Sequence, residues 1–220
     1  MGKKVNPIIL RISNIKNPAI SWNVKWFAKP HNYATYVAED EKIRKVIKKS
    51  VSNVGLDKII IERSGNGDIG VILRASKPGV LIGRGGERSE ALKKSIETVI
   101  NKNFKLRLTI KEIPKSNLCA EVLLEEAKQQ IERRLPFRKV MKKILDMGKK
   151  AGALGIKISM AGRLNGVEIA RHEKLSTGQM PLQNLRAYID YARTAAKTKW
   201  GQVGIKVWVY RGEVFEDQST

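Results

Sequence analysis

From residue 39 onward the apolar positions of this chain change period in an ordered way. Ile43, Val46, Ile47 and Val51 recur at helical spacing behind Asp40, a residue suited to cap a helix, and Gly55 closes the segment. Two runs of strand character follow, Leu56–Arg63 and Asp68–Ala75, joined by the turn sequence Ser64-Gly65-Asn66-Gly67. Pro78 then opens a short helical stretch that ends in Gly83-Arg84-Gly85-Gly86, and the next helix gathers Leu92, Ile96, Val99 and Ile100 on one face. Phe104, Leu106, Leu108 and Ile110 alternate with Lys105, Arg107, Thr109 and Lys111, the pattern of a half-buried strand with a basic outer face.

Pro114 marks a boundary. Beyond it Ala120, Leu123, Leu124, Ala127, Ile131 and Leu135 form the stripe of one helix, acidic at its start and basic at its end, which Pro136 breaks. A second helix runs from Phe137 to Lys150 with Val140, Met141, Ile144 and Leu145 inward. The rest reads as four strands: Gly155–Arg163, Val167–His172, Leu185–Arg193 and Gln202–Gly212. Leu164-Asn165-Gly166 is the expected hairpin turn of the first pair, since Asn-Gly supplies the positive φ such turns need. The expectation is an α+β protein: a basic arm over 1–38, one domain over 39–113, a linker at 114–116, a two-helix plus four-stranded-sheet domain over 117–214, and a polar tail over 215–220. In the arm, Trp22, Trp26 and Phe27 are expected to pack against a neighbouring surface, because no strand presents them for base stacking.

Charge narrows the partners. Across 220 residues, 43 Lys and Arg face 21 Asp and Glu, a net charge of +22, while 42% of residues are hydrophobic, enough for real cores. So large an excess repels itself in a compact fold unless a polyanion offsets it. Cys119 is the only cysteine, which leaves no disulfide framework and no four-cysteine zinc site, and implies a small core residue in a reducing compartment. The start, Met1-Gly2-Lys3-Lys4-Val5-Asn6-Pro7, lacks the apolar stretch of a secretory leader, and no run approaches the roughly 18 apolar residues of a membrane span.

Two motifs fit a nucleic-acid backbone. In Gly83-Arg84-Gly85-Gly86 the glycines let the main chain come close, Arg84 brings charge, and the open amides of the following helix's first turn are expected to face phosphates. Arg133, Arg134, Arg138, Lys139, Lys142 and Lys143 cluster about Pro136, and the spacing of the last four places them on one helix face. Chemistry has little to work with. No Walker loop, HExxH or GxSxG is present, the two histidines, His31 and His172, are far apart, and Glu168 and Asp190 lie on different predicted strands. No cofactor, metal or small-molecule substrate is implied, and no enzymatic role.

The helix–strand–strand–loop–helix–strand order of residues 39–113, with its glycines at a helix–helix junction, resembles the type II KH domain. The second half carries a longer set of motifs: Gly162-Arg163-Leu164-Asn165-Gly166, Glu168-Ile169-Ala170-Arg171, Pro181-Leu182, Leu185-Arg186-Ala187, Ile189-Asp190-Tyr191, and Gly201-Gln202-Val203-Gly204-Ile205-Lys206-Val207-Trp208. In this order they resemble the S-three family of bacterial small-subunit ribosomal proteins over nearly the whole chain. The resemblance implies a cytoplasmic, ribosome-bound protein in the head of the small subunit, bound to rRNA and to neighbouring head proteins. It also implies a grip on mRNA at the channel entrance through Arg138, Lys139 and Lys142. Further rRNA contacts are expected at Lys3, Lys4, Arg11, Lys105, Arg107, Arg163 and Arg171. Where relatives often carry two lysines between the loop glycines, this chain has Arg84 and Gly85, one charge fewer. The alternatives are a KH-domain regulator free of the ribosome and a secondary cleavage of damaged DNA.

Overall fold

The computed structural model describes residues 4–12, 22–51, 54–64, 68–100 and 105–215. They divide into two compact units between Pro114 and Lys115, and the N-terminal residues 4–12 belong with the second.

The first unit is a four-stranded sheet in the order β1-β2-β3-β4, where β1 is Val24–Lys25, β2 Leu56–Arg63, β3 Asp68–Ala75 and β4 Lys105–Glu112. β2 and β3 pair antiparallel; β4 runs parallel to β3 and β1 parallel to β2. Helix α2 (Pro30–Ser50) lays Ile43 and Ile47 on the sheet, and α4 (Glu87–Glu97) adds Leu92 and Ile96. These meet Ile61, Ile69, Val71 and Leu73, each 1% exposed or less. Each such side chain contributes about 1.5–3 kcal/mol by leaving water.

The entry into this unit departs from the expected arm. α2 begins at Pro30, not at Asp40, with proline in the first turn, where its missing N–H is no loss. Asp40 is therefore mid-helix and buried. It accepts hydrogen bonds from Trp26 Nε1 at 2.8 Å and from Arg63, which also pairs with Glu39 at 2.9 Å. Trp26 packs edge-on against Tyr36 at 5.7 Å, as expected, but Trp22 and Phe27 stand exposed. Residues 65–67 of the predicted turn, and Phe104, lie outside the described residues.

In the second unit, α5 (Ala120–Glu132) and α6 (Phe137–Lys150) cover one face of an antiparallel sheet in the order β6-β5-β8-β7. The strands are β5 Gly155–Gly162, β6 Arg171–Gly178, β7 Ala187–Thr198 and β8 Gly201–Glu213. α5 packs on β7 and β8, and α6 on β5 and β6. Leu123, Ala127, Val140, Met141 and Ile144 interlock with Ile156, Ile158, Ile205, Val207 and Val209. Gly148 lets α6 approach β5, since a Cβ there would lie 2.1 Å from Ile156 Cδ1. Leu135, expected on the core stripe, lies beyond the end of α5 and is exposed.

The Asn-Gly hairpin is also corrected. Arg171 pairs with Gly162, so residues 163–170 form the connection and β6 sits several residues later than expected. Asn165 does adopt positive φ (57°), but in a 3-10 turn, and its Oδ1 accepts the Phe137 N–H at 3.3 Å. That side chain serves the start of α6, where Pro136 offers no cap of its own. The tight hairpin is instead β7–β8, turning at Lys199-Trp200. Among the described residues, no helix is long and apolar enough to cross a membrane.

Candidate nucleic-acid interface

In the first unit the glycine loop is built by backbone conformation. Helix α3 (Pro78–Ile82) ends at Gly83 with φ 74° and ψ −179°, a region open in practice only to glycine. Gly85 (φ 60°) and Gly86 (φ 87°) continue the turn, and Gly86 precedes α4 without any side-chain cap. The first-turn amides of α4 thus have no capping side chain, and Arg84 is exposed beside them. Glu87 and Glu90 occupy the same first turn and oppose an anion there. Arg88 braces the loop through a bond from Nη1 to the Val80 carbonyl at 3.3 Å. On β4, Lys105 and Lys111 are exposed, while Arg107 pairs with Asp68 at 2.7 Å.

In the second unit α6 carries the charge. Its core positions bury Val140, Met141, Ile144, Leu145 and Gly148, which leaves Arg138, Lys139, Lys142 and Lys143 in solvent. Lys149 and Lys150, not singled out in the sequence, extend the exposed surface at the far end, and Asp146 is the one acid within the helix. Lys143 is partly committed: its ammonium lies 3.2 Å from Glu126 on α5. Burial alone would raise the Glu126 pKa, but hydrogen bonds from Gln130 and Lys143 and the charges of Lys143 and Arg133 hold it below the usual value. Arg133 caps the C-terminus of α5, and Arg134 takes a left-handed conformation (φ 62°) that turns the chain toward α6. Both are exposed. Arg134 and Arg163 line one groove of about 350 Å³ with Phe137, Asn165 and Trp200. Arg163 Nε donates to the Val167 carbonyl at 2.9 Å, and Arg171 is exposed at the start of β6.

Arg11 departs from its expected role. It is completely buried on the short helix α1 (Ile9–Ile12), where it donates to four carbonyls: Pro7 and Ala187 at 2.8 Å, Leu182 and Asn184 at 3.0 Å. Burial lowers its pKa. A guanidinium so enclosed cannot meet a phosphate; it ties the N-terminal segment to the second unit. Lys4 is exposed, and Lys3 lies outside the described residues.

Asp190 is likewise structural. Its Oδ2 accepts the Ala120 N–H at the start of α5 and a bond from Arg211 Nη2, both at 3.0 Å. Burial alone would lower the Arg211 pKa, but Tyr188, Asp190 and Cys119 reverse the sign and raise it. Neither role is visible from spacing, because the partners are 70 and 21 residues away. Glu168 is exposed in the connection before β6, so the geometry gives the two acids separate settings.

Two family models match the chain: the KH domain over residues 42–118, and "Ribosomal protein S3, C-terminal domain" over residues 127–209. The chain is 43% identical over 214 residues to the small ribosomal subunit protein uS3 of Clostridium acetobutylicum, covering 97% of this chain and 94% of the relative. It is 44% identical over 220 residues to that of Pelotomaculum thermopropionicum, covering 100% and 92%. The corresponding protein of Xanthomonas campestris is 42% identical over 216 residues, covering 98% and 86%. The ribosomal motifs of the second half, the KH order of the first and these full-length likenesses agree: the chain belongs to the uS3 family of small ribosomal subunit proteins.

Proposed function

We propose that this small-subunit constituent binds rRNA in the subunit head and lines the channel where mRNA enters, with α6 gripping the incoming message and aiding its unwinding. The observation that carries the reading is the exposed surface of α6: Arg138, Lys139 and Lys142 stand in solvent on a helix whose other side is anchored in the core. Rigid mounting matters here, because an anchored helix keeps the points of attachment of these cations in place when a strand slides past. The contacts are to phosphates and so are indifferent to sequence, as a channel that must pass every message requires. Arg133 and Arg134 continue the surface around the turn. The loop at Gly83–Gly86, with Lys105 on β4 of the same unit, provides rRNA docking, and Lys4, Arg163 and Arg171 provide further contacts. The neighbours are other proteins of the head, and the setting is the cytoplasm.

The test replaces Arg138, Lys139 and Lys142 together by Ala in reconstituted ribosomes. Elongation through a strong hairpin in the message is expected to slow severalfold, while subunit assembly and elongation on an unstructured message stay near normal. Unchanged rates through the hairpin would refute the assignment to α6.

A further inference from the structure

The helices cover only one face of the second sheet. Strand alternation sends Ile156, Ile158, Ile205 and Val207 to that face, and the intervening residues to the other. The register then assembles two rows on the other face, which Met180 and Leu182 cover at one end, where they pack with Ile189, Tyr210 and Trp208. One runs Lys174–Ser159–Lys206–Arg193 across all four strands, and the next runs Ser176–Lys157–Trp208–Tyr191. Neither row contains a carboxylate, nor does the adjoining His172–Ala161–Gly204–Ala195. Lys174, Lys206 and Arg193 are exposed. They spread over roughly 14 Å, three strand spacings.

The second row adds flat aromatic surface. Tyr191 and Trp208 stand side by side, ring centroids 5.3 Å apart and tilted by 41°, both half-buried. The Lys157 ammonium lies 5.4 Å from the Trp208 centroid. Burial lowers the Lys157 pKa, and the charges of Lys4 and Lys174 lower it further, so these amines repel one another. Such crowding is relieved by a bound anion.

We propose that this face is a separate RNA-binding surface, which takes an unpaired stretch of RNA with its phosphates along Lys174, Lys206 and Arg193 and a base upon the Tyr191–Trp208 pair. Charge complementarity selects a polyanion. The aromatic pair beside the cations selects one with planar faces, which nucleic acid has at every position. The rings are too close to admit a base between them, and Trp208 is flanked by Lys157 as well, so the base stacks on the Tyr191 face turned away from Trp208. The proposal rests on the protein's being an RNA binder but is independent of α6.

The test uses the full chain and a fluorescently labelled, unpaired oligouridine, titrated at several salt concentrations. Lys174→Ala, Lys206→Ala and Arg193→Ala together are expected to weaken binding about tenfold and to flatten the log–log salt slope by about 2, three phosphate contacts at about 0.7 each. Arginine at 174 and 206 with lysine at 193 should restore both. Ultraviolet cross-linking should join the oligonucleotide to Tyr191 or Trp208 in the wild-type protein and to neither in the alanine variant. Unchanged affinity and slope in a folded alanine variant would overturn the proposal. So would polyglutamate binding as tightly as the oligonucleotide at matched salt, the mark of a surface for an acidic protein segment. The Arg138, Lys139 and Lys142 alanine variant separates the two readings. If only it loses binding, this surface fails and α6 stands; if the wild-type protein binds no oligonucleotide, both fail.

Discussion

Arg11→Met separates two roles that a basic residue near an N-terminus can play. The substitution keeps length and apolar stem while removing the guanidinium. Four carbonyls lose a donor: those of Pro7 and Ala187 in the buried part of the site, and those of Leu182 and Asn184 nearer the surface. Water can replace the donor at the outer pair but not readily at the inner one. Two buried acceptors left unsatisfied cost about 1–3 kcal/mol each, so a loss of about 2–6 kcal/mol is expected from the second unit. Native-state hydrogen exchange of the backbone amides of β5 and β8 in the full chain measures it against the wild-type protein. RNA affinity measured in parallel should keep its salt slope, because no phosphate contact has been removed. A slope reduced by about 0.7 with stability intact would show that Arg11 reaches RNA and that its enclosure is wrong.

In the first unit, Arg63→Met leaves Glu39 and Asp40 buried without their guanidinium. It should cost about 3–5 kcal/mol, read from the unit's denaturation midpoint, and adding Glu39→Gln and Asp40→Asn should recover much of it. Gly83→Ala forces a side chain into a glycine-only conformation and against Arg88 Cγ at 2.9 Å, a cost of about 1–3 kcal/mol. Gly83→Asp should weaken RNA binding well beyond the alanine variant, and equal binding by the two would remove the loop from the RNA surface. Because the folded Glu126 carboxyl has a lowered pKa, its ion pair stabilises above the unfolded carboxyl's pKa and is lost as pH falls through the folded one. The acid limb of a stability–pH curve should therefore flatten slightly in Glu126→Gln, and an unaltered limb would contradict the pairing with Lys143.

What the sequence disclosed follows the range of the interactions involved. β2 and β3 were legible to the residue, since the short apolar runs Ile59-Ile60-Ile61 and Val71-Ile72-Leu73, set off by glycines and polar residues, are a local signal. The cationic surface of α6 was legible for the same reason, its spacing being helical. Asp40 misled because its resemblance to a cap is local, whereas its true partner, Arg63, is 23 residues away. Asn165-Gly166 has the required backbone sign and lies between the paired strands β5 and β6, but within a longer connection than a tight hairpin, and the Asn165 side chain is used across the unit by Phe137. Arg11 has the composition of a basic tail and is read correctly only with its carbonyl partners 171 to 176 residues distant. The rows on the sheet face away from the helices were invisible for a related reason: they exist only once the register of four strands is known.

The bond from Arg11 to the Ala187 carbonyl spans 176 residues and has a consequence for biosynthesis. Residues 4–12 leave the translating ribosome well before Leu182, Asn184 and Ala187, and their seat does not exist until those residues have followed. At about 5–20 residues per second the segment waits roughly 10–35 s. In that interval the unit spanning residues 22–114, which holds its own core, is free to fold. These early-made residues thus settle late, once the sheet of the second unit is there to receive them.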